Sequence, residues 1–478
     1  MVMDPIPPVQ PAAPSTTVIT DPEVLAAYRE DASSLMGAPD GLVRPTDPQE
    51  VAAALAHASG RGIPVTTCGL RSSTTGAGLA PRGWTLSTER MVGLVDLDRR
   101  NRTAIVQAGT VLRDFKDAVE AEGLFYPPDP TSERECAVGG TVACDASGAR
   151  TYRYGATHRW VRGVEVALTD GTVTWMRRPR IDKDAAGYAA LRDPVQLFCG
   201  SEGTLGVVTK VEVDLLPLPE AYLAGLAFFG DVQQALAFVG AAREQDRRGG
   251  GVRPRCLELL DGLALQIMGA QDSGVVMPAA AGAAVFFEEE HAHGAEGPVM
   301  EAWWTLLSMA SGALPDDTVI ASNRAEQEEL RRLRHAVPAT LNDEGRAFHA
   351  AGGRKISTDW AVPFAQLAPF MADCDRWLLE AGIGRVARYG HVGNGHPHYN
   401  LIVQDAAEAA RAAAVVERMC QQACRLGGTV TAEHGVGKVK TGYLKYRFSP
   451  LQLATMKAVK RVFDPTGILA PGNIWAEE

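Results

Sequence analysis

The sequence predicts an α+β protein in two parts, and three observations carry that prediction. Residues 20–216 alternate helix signals with short strands. Pro217 and Pro219 then close the region and mark a boundary. Residues 221–422 mix longer helical patterns, such as Val232–Ala242 and Ala325–Arg334, with strand candidates such as Ala283–Phe287 and Leu401–Val403.

Composition sets the outer limits. A chain of 478 residues is long enough for two or three domains. A hydrophobic content of 46% with 22% charged residues is ordinary for a soluble globular enzyme. The net charge of -10 argues against nucleic-acid partners and against a basic membrane-docking face. The eight cysteines form no C-x-x-C pair, and Cys420 and Cys424 stand four apart on a predicted helix. They read as free, mostly buried thiols of a reducing cytosol, with neither iron-sulfur nor structural-zinc spacing. The apolar run from Gly274 to Phe287 is too short for a membrane span and is interrupted by Pro278. The first residues, Met-Val-Met-Asp-Pro-Ile-Pro-Pro, lack the basic and apolar regions of a signal peptide. Residues 1–19 are expected to be a flexible arm, on their Pro/Ala/Ser/Thr content.

Each element has a local reason. Asp21-Pro-Glu starts a helix with Val24, Leu25 and Tyr28 on its apolar face. Asp47 caps a second helix, with Pro48 at its first position and Glu50 three residues after the cap. Ile63–Thr67 reads as a strand and opens onto Cys68-Gly-Leu-Arg-Ser-Ser-Thr-Thr-Gly-Ala-Gly78. That loop can wrap a pyrophosphate with backbone N–H groups and small hydroxyls, although it is neither a Rossmann nor a Walker fingerprint. Short strands at Trp84–Leu86, Gly93–Asp98 and Thr103–Ala108 lead to a helix from Val111 to Glu122 that ends at Gly123. Tyr126–Ser132 is a rigid proline turn, and Cys136–Gly148 is a second small-residue loop. Asp170-Gly171 joins Val161–Leu168 to Val173–Met176 as a hairpin. A third loop, Gly200-Ser-Glu-Gly-Thr-Leu-Gly206, opens onto a strand from Val207 to Leu216. Gly249-Gly250-Gly251 is a loop, and Phe463–Ile474 is a compact turn expected to pack back onto the first part.

Four of the ten histidines gather near the C-terminus. Tyr389-Gly-His-Val-Gly-Asn-Gly-His-Pro-His-Tyr-Asn400 places His391, His396 and His398 in one Gly-rich stretch, and Thr431-Ala-Glu-His-Gly435 adds Glu433 and His434. Imidazole and carboxylate are ligands for a divalent metal, and a catalytic site uses three of them. The plainer reading is a surface loop with polar histidines. Three small-residue loops beside such a cluster suggest a long phosphate-bearing cofactor next to a metal.

These stretches together resemble a known family. Pro127-Pro-Asp-Pro-Thr-Ser132, Val138-Gly-Gly-Thr-Val-Ala143, Lys183-Asp184 with Gly187-Tyr188, and Gly200–Gly206 look like the FAD-binding domain of the vanillyl-alcohol-oxidase/PCMH superfamily. The tail motifs resemble its D-lactate dehydrogenase, glycolate oxidase catalytic subunit and D-2-hydroxyglutarate dehydrogenase branch. The likeness runs from Tyr28 to Ile474. It implies a two-part PCMH-type FAD-binding domain at 20–219 and an α+β substrate cap with a central antiparallel sheet at 220–424. A segment at 425–478 would complete the FAD domain and the active site.

The resemblance also implies roles. FAD would be held by Gly69, Arg71, Ser72, Ser73, Thr74, Thr75 and Gly76 of the first loop. Pro128, Ser132, Gly139, Gly140, Thr141, Ala143, Asp145, Ser147 and Gly148 would hold it from the second region. Glu202, Gly203, Gly206, Val207 and the tail's Asn473 would complete the cradle. His391, His398 and Glu433 match metal ligands, for zinc or manganese. His434 matches the proton acceptor, Asn400 a substrate contact and Arg334 the grip on a substrate carboxylate, while Lys355 lies near a second substrate contact of the family. The implied reaction takes a D-2-hydroxy acid to its 2-oxo acid. Electrons would leave directly to a quinone, a cytochrome, an electron-transfer flavoprotein or oxygen. The implied location is cytoplasmic, peripheral to the membrane where the acceptor requires it, with a homodimer as one option.

The chain departs from the family pattern in places. Arg71-Ser72 stands where Gly-Thr is usual, Asp145 and Ala470 where Asn is usual, and Gly393-Asn-Gly-His396 where Gly-Asp-Gly-Asn is usual. Nothing points to a covalently attached flavin. Two other readings share the fold: an alkyl-glycerone-phosphate-synthase-like flavoenzyme, and a non-catalytic flavin-binding subunit of a larger oxidase. A lone metal-binding protein would leave the three loops unexplained.

Overall fold

The computed structural model describes residues 17–476, apart from Ser34 and Asp182. Most of the N-terminal arm, residues 1–16, lies outside the described residues, as does Asp182 within the insertion bearing Lys183-Asp184. Ile19 already exchanges backbone hydrogen bonds with Leu42, so pairing starts within the stretch expected to be a flexible arm.

Strands β1 (Gly41–Val43), β2 (Val65–Cys68) and β3 (Trp84–Ser87) form a small parallel sheet in the order β1-β3-β2. Asp47 caps the helix Pro48–Ser59 through the N–H groups of Gln49 and Glu50, as its spacing requires. That helix lays Val51, Ala54 and Leu55 against Val65 and Leu86 of the sheet. β4 (Leu94–Asp98) and β5 (Thr103–Gln107) follow, then a two-residue β6 (Leu124–Phe125). β7 (Val161–Ala167), β8 (Val173–Arg177) and β9 (Val207–Asp214) complete a five-stranded antiparallel sheet ordered β4-β5-β9-β7-β8. The hairpin at Asp170-Gly171 has Gly171 at φ +88°, the left-handed region that glycine enters without strain. β10 (Leu216–Pro217) pairs with β6.

The second part is a seven-stranded antiparallel sheet. It holds β11 (Ala221–Phe229), β12 (Cys256–Asp261), β13 (Ala283–His291), β14 (Val319–Ala321), β15 (Gly352–Ser357), β16 (Val386–His391) and β17 (His396–Asp405). Their order is β14-β11-β13-β12-β16-β17-β15. One core packs Val285, Phe287, Leu401 and Val403 against the helices Val232–Arg248, Phe364–Glu380 and Ala406–Arg425. The opposite core places Leu260, Phe286, Tyr389 and Ile402 under the helices Gly262–Gly269 and Arg324–Arg346. Leu469 of the tail bridges to Val65, where the backbones of Ile468 and Ala470 pair with that residue.

Several elements differ from expectation for physical reasons. The second small-residue loop contains a helix, Val138–Cys144. Gly139 permits it, because a Cβ there would lie 2.6 Å from the Ala108 methyl. The histidine stretch is a hairpin, with His391 ending β16, a turn at Val392–Asn394, and His396 opening β17. Strand pairing therefore places His391 opposite His396, and Gly395 at φ +73° closes the turn. The helix expected to end at Gly123 stops at Glu120, and Gly123 turns the chain three residues later. The helix expected over 325–334 continues to Arg346 through Pro338, which cannot donate to the Arg334 carbonyl.

Candidate active site

Residues opposed across an antiparallel pair share one face of the sheet. Tyr389 opposes His398, His391 opposes His396, and Ser357 opposes Asn400. The face under the helix Arg324–Arg346 thus carries Tyr389, His391, His396, His398 and Asn400. His391, His396, His398 and Asn400 are all less than a tenth exposed.

Glu433 enters this face from the C-terminal segment. Its Oε1 lies 2.7 Å from His391 Nε2, and its Oε2 lies 3.6 Å from His398 Nε2. Ligating atoms of His391, His398 and Glu433 all lie within 4.8 Å of one another. His396 adds a third imidazole, with Nδ1 at 3.5 Å from Glu433 Oε1 and Nε2 at 3.2 Å from Asp359 Oδ1. His434 stacks on His398, with ring centroids 5.5 Å apart, and its Nε2 is 3.9 Å from Glu433 Oε2.

Burial and charge set the protonation states. Burial opposes a charged His391, but the Glu433 and Glu258 carboxylates outweigh it and lift the imidazole to about 10. Burial, with His396 beside it, pulls His398 down to about 4. Burial also lowers His434, against the pull of Asp359. Glu433 is held well below its usual range, burial notwithstanding, by His391 and His396. His391 is fixed from behind, because its Nδ1 donates to Glu258, whose other oxygen accepts from Arg334. Two imidazoles and a carboxylate, one imidazole held by a carboxylate behind it, suit a divalent cation such as zinc or manganese.

The three small-residue loops converge on the Glu433-His434 segment. From the first loop, Thr75 Oγ1 donates to the His434 carbonyl at 3.2 Å. From the second region, Cys144 Sγ donates to the Glu433 carbonyl at 3.2 Å and Ser147 Oγ to the Ala432 carbonyl at 3.4 Å. From the third, the Glu202 carboxylate accepts from Val436 N at 2.5 Å and Gly437 N at 2.7 Å. Asn473 Nδ2 ties the tail to the carbonyls of Ala77 and Glu202.

The expected cofactor residues thus divide into two groups. Ser73, Thr75, Thr141, Asp145, Ser147, Glu202 and Asn473 spend their polar atoms on the protein, Asp145 on His158 and Thr141 on the Val138 carbonyl. The Val207 side chain is core. The Arg71 guanidinium stacks over Tyr28 at 4.7 Å and pairs with Glu89 at 3.6 Å. Gly140 instead faces open space, since a Cβ there would meet nothing within 4 Å. Buried oxygens of Thr66, Thr67 and Tyr126 have no hydrogen-bond partner among the described residues. Thr67 Oγ1 lies 3.7 Å from where a Cβ on Gly203 would stand. Among the described residues, five of the six non-glycine positions with positive φ lie in the loops and tail: Arg71, Asp145, Glu202, Ala470 and Ile474. Unpartnered buried oxygens, an open glycine and backbone strain together fit an extended polar group such as FAD.

Arg334 is buried against Glu258 and reaches Thr131 Oγ1 at 3.4 Å. Asn400 accepts from Ser357 Oγ at 2.6 Å, while its Nδ2 is buried without a partner. Lys355 lies on β15 opposite Ile402, and its ammonium has no ion pair among the described residues. Sequence reasoning missed Glu258, Asp359 and Lys440. A lone carboxylate in an apolar strand run, Cys256-Leu-Glu-Leu-Leu260, was the one signal for Glu258. Nothing local marked the other two.

Comparison with known proteins agrees with this architecture. Residues 218–474 match the family described as "FAD linked oxidases, C-terminal domain", and residues 39–177 match "FAD binding domain". The chain is 30% identical over 444 residues to the "Glycolate oxidase subunit GlcD" of Bacillus subtilis (strain 168), covering 92% of this chain and 90% of that one. It is 30% identical over 476 residues to the "D-2-hydroxyglutarate dehydrogenase" of Xanthomonas citri pv. viticola, covering 98% and 96%. A solved alkyldihydroxyacetonephosphate synthase superimposes with a TM-score of 0.70 at 16% identity, covering 95% of this chain and 83% of that one, which speaks to the fold alone. No helix among the described residues is long and apolar enough to cross a membrane. With an FAD-binding domain followed by a matching C-terminal domain over more than half its length, the chain belongs to the FAD-linked oxidases and is a flavin-dependent oxidoreductase.

Proposed function

We propose that this protein oxidises a small D-2-hydroxy acid of the lactate, glycolate or 2-hydroxyglutarate kind to the 2-oxo acid. One observation carries the reading. The Glu433-His434 pair stands where the three loops of the first part meet the His391 and His398 face of the second. The named activities of the relatives support the substrate class.

His391, His398 and Glu433 would hold a divalent cation, and the loop residues around Gly140 and Gly203 would hold FAD. When bound, the cation supplies Lewis acidity toward an α-hydroxyl and FAD supplies a two-electron acceptor. The chain's own residues do the rest. Burial keeps the His434 imidazole neutral, so Nε2 can accept the hydroxyl proton. Asn400 offers an unpaired N–H to a substrate oxygen. Arg334 and Lys355 offer positive charge to the carboxylate. Reducing equivalents then pass to an external acceptor: a quinone, a cytochrome, an electron-transfer flavoprotein or oxygen. The working location is the cytosol, at the membrane where the acceptor is a membrane component.

The test is anaerobic flavin bleaching with a panel of D- and L-2-hydroxy acids, before and after chelation. Reduction by a D-acid is expected, lost with chelator and slowed about 10²–10⁴-fold in His434→Ala, the usual range for a general base. A yellow protein that no hydroxy acid reduces would sink the reading and favour alkyl exchange.

A further inference from the structure

Asp359 stands two residues past the end of β15 and is 3% exposed. Its carboxylate is surrounded by donors. Oδ2 accepts from Thr431 Oγ1 at 2.5 Å, from Lys440 Nζ at 2.5 Å and from the His434 backbone N–H at 3.1 Å. Oδ1 accepts from the Glu433 N–H at 3.2 Å and faces two imidazoles, His396 Nε2 at 3.2 Å and His434 Nδ1 at 3.5 Å. Lys440 also donates to Thr431 Oγ1 and to the Gly435 carbonyl, both at 3.1 Å, so it grips both ends of the segment carrying the Glu-His pair.

Asp359, His398 and His434 also place ligating atoms within 4.8 Å of one another, which raises the question of a second cation there. The contacts answer against it. The Lys440 ammonium already neutralises Asp359, and a divalent ion beside it would meet strong like-charge repulsion in a buried setting. His434 therefore has one ring nitrogen toward a carboxylate and the other toward Glu433, the arrangement that aims an imidazole rather than one that ligates a metal through it.

We propose that Asp359, neutralised by Lys440, is a positioning residue for His434. It sets the backbone of the Glu433-His434 pair and holds the imidazole with Nδ1 inward and Nε2 free toward the substrate. This rests on the reading of His434 as proton acceptor. The Nδ1 contact is long for a hydrogen bond, as catalytic contacts often are before substrate arrives.

The test uses the FAD- and zinc-loaded full chain, with D-lactate and D-2-hydroxyglutarate as probes and anaerobic flavin reduction as the readout. Asp359→Asn is expected to slow reduction about 10–100-fold, the usual range for losing a group that orients an active-site ligand. Half-saturation by the acid and FAD content are expected to stay unchanged. Asp359→Asn strands the Lys440 ammonium, so Asp359→Asn/Lys440→Met is made as well and is expected to show the same loss. In a His434→Ala background, Asp359→Asn is expected to add nothing, since its effect runs through the missing imidazole. Histidine-selective ¹⁵N spectra of the zinc-loaded, FAD-free protein supply a second readout. The His434 signal, assigned with His434→Ala, is expected to show one tautomer protonated at Nδ1, and a mixture in Asp359→Asn. Reduction within twofold of wild type in both Asp359 variants, an unchanged tautomer, or a full further loss in the His434→Ala background would each overturn the proposal while leaving His434 as base. Unimpaired reduction by His434→Ala itself would overturn both.

Discussion

Arg334 and His391 share one carboxylate. Glu258 accepts from the Arg334 guanidinium on one oxygen and from His391 Nδ1 on the other, with the Glu258 side chain 1% exposed. Burial disfavours the charged carboxylate, but Arg334 and His391 hold it ionised, down to about 2. The residue expected to grip a substrate carboxylate is therefore coupled to a residue expected to ligate metal through Glu258, which contacts both.

That coupling predicts the effect of Glu258→Gln. The amide cannot hold His391 as a charged acceptor does. Zinc affinity is expected to fall about 10–100-fold. Calorimetric titration of the metal-free protein measures it, and an unchanged affinity would remove Glu258 from the site. Glu258→Ala is expected to cost about 3–5 kcal/mol of stability as well, because it leaves Arg334 buried without a counter-charge.

Adjacent glycines of the helix Val138–Cys144 are expected to behave differently. A Cβ on Gly139 would stand 2.6 Å from the Ala108 methyl and 3.0 Å from its carbonyl oxygen. Gly139→Ala should destabilise the FAD-free protein by about 1–3 kcal/mol through overpacking. Gly140 has nothing within 4 Å, so Gly140→Ala should be neutral or stabilising by up to about 1 kcal/mol in the FAD-free protein. If that open space receives the flavin, Gly140→Ala also loses FAD on gel filtration. Urea unfolding and the ratio of flavin to protein absorbance separate the two effects.

Lys355 predicts a pH dependence. Burial alone pulls its ammonium down to about 8. Below that value the charge is present and available to an anion, and above it the charge is lost. KM for a hydroxy acid should therefore rise as pH passes through about 8, with kcat little changed, and Lys355→Met should flatten that rise. The linked stability has the opposite sign to that of a paired lysine. The unfolded chain keeps its proton to about 10.4, so the substrate-free protein gains stability between about pH 8 and 10. Urea midpoints across that window, compared with those of Lys355→Met, measure the gain. A KM flat across pH 8 would take Lys355 out of substrate binding.

Much of the fold was readable because its causes are local. The Asp47 cap and the Asp170-Gly171 turn act within a few residues of themselves, and the structure has each where the pattern put it. His391, His396, His398 and Glu433 could be gathered from two short stretches, and the family resemblance singled out His391, His398 and Glu433 among them. The glycines marked the turn but not the two strands around it, because the strand pairing that orders them comes from β12 and β15, far away in the chain.

The sequence by itself determined the two-part α+β plan, the three loops, the histidine-carboxylate set and membership of a flavin-dependent class. Only the tertiary structure decided what stands behind those groups. His391 meets Glu258 across 133 residues, Lys440 meets Asp359 across 81, and Cys144 meets the Glu433 carbonyl across 289. No periodicity or spacing rule reaches so far. A buried charge leaves no local pattern; it is tolerated only where the folded chain brings a partner to it, and that partner is set by packing.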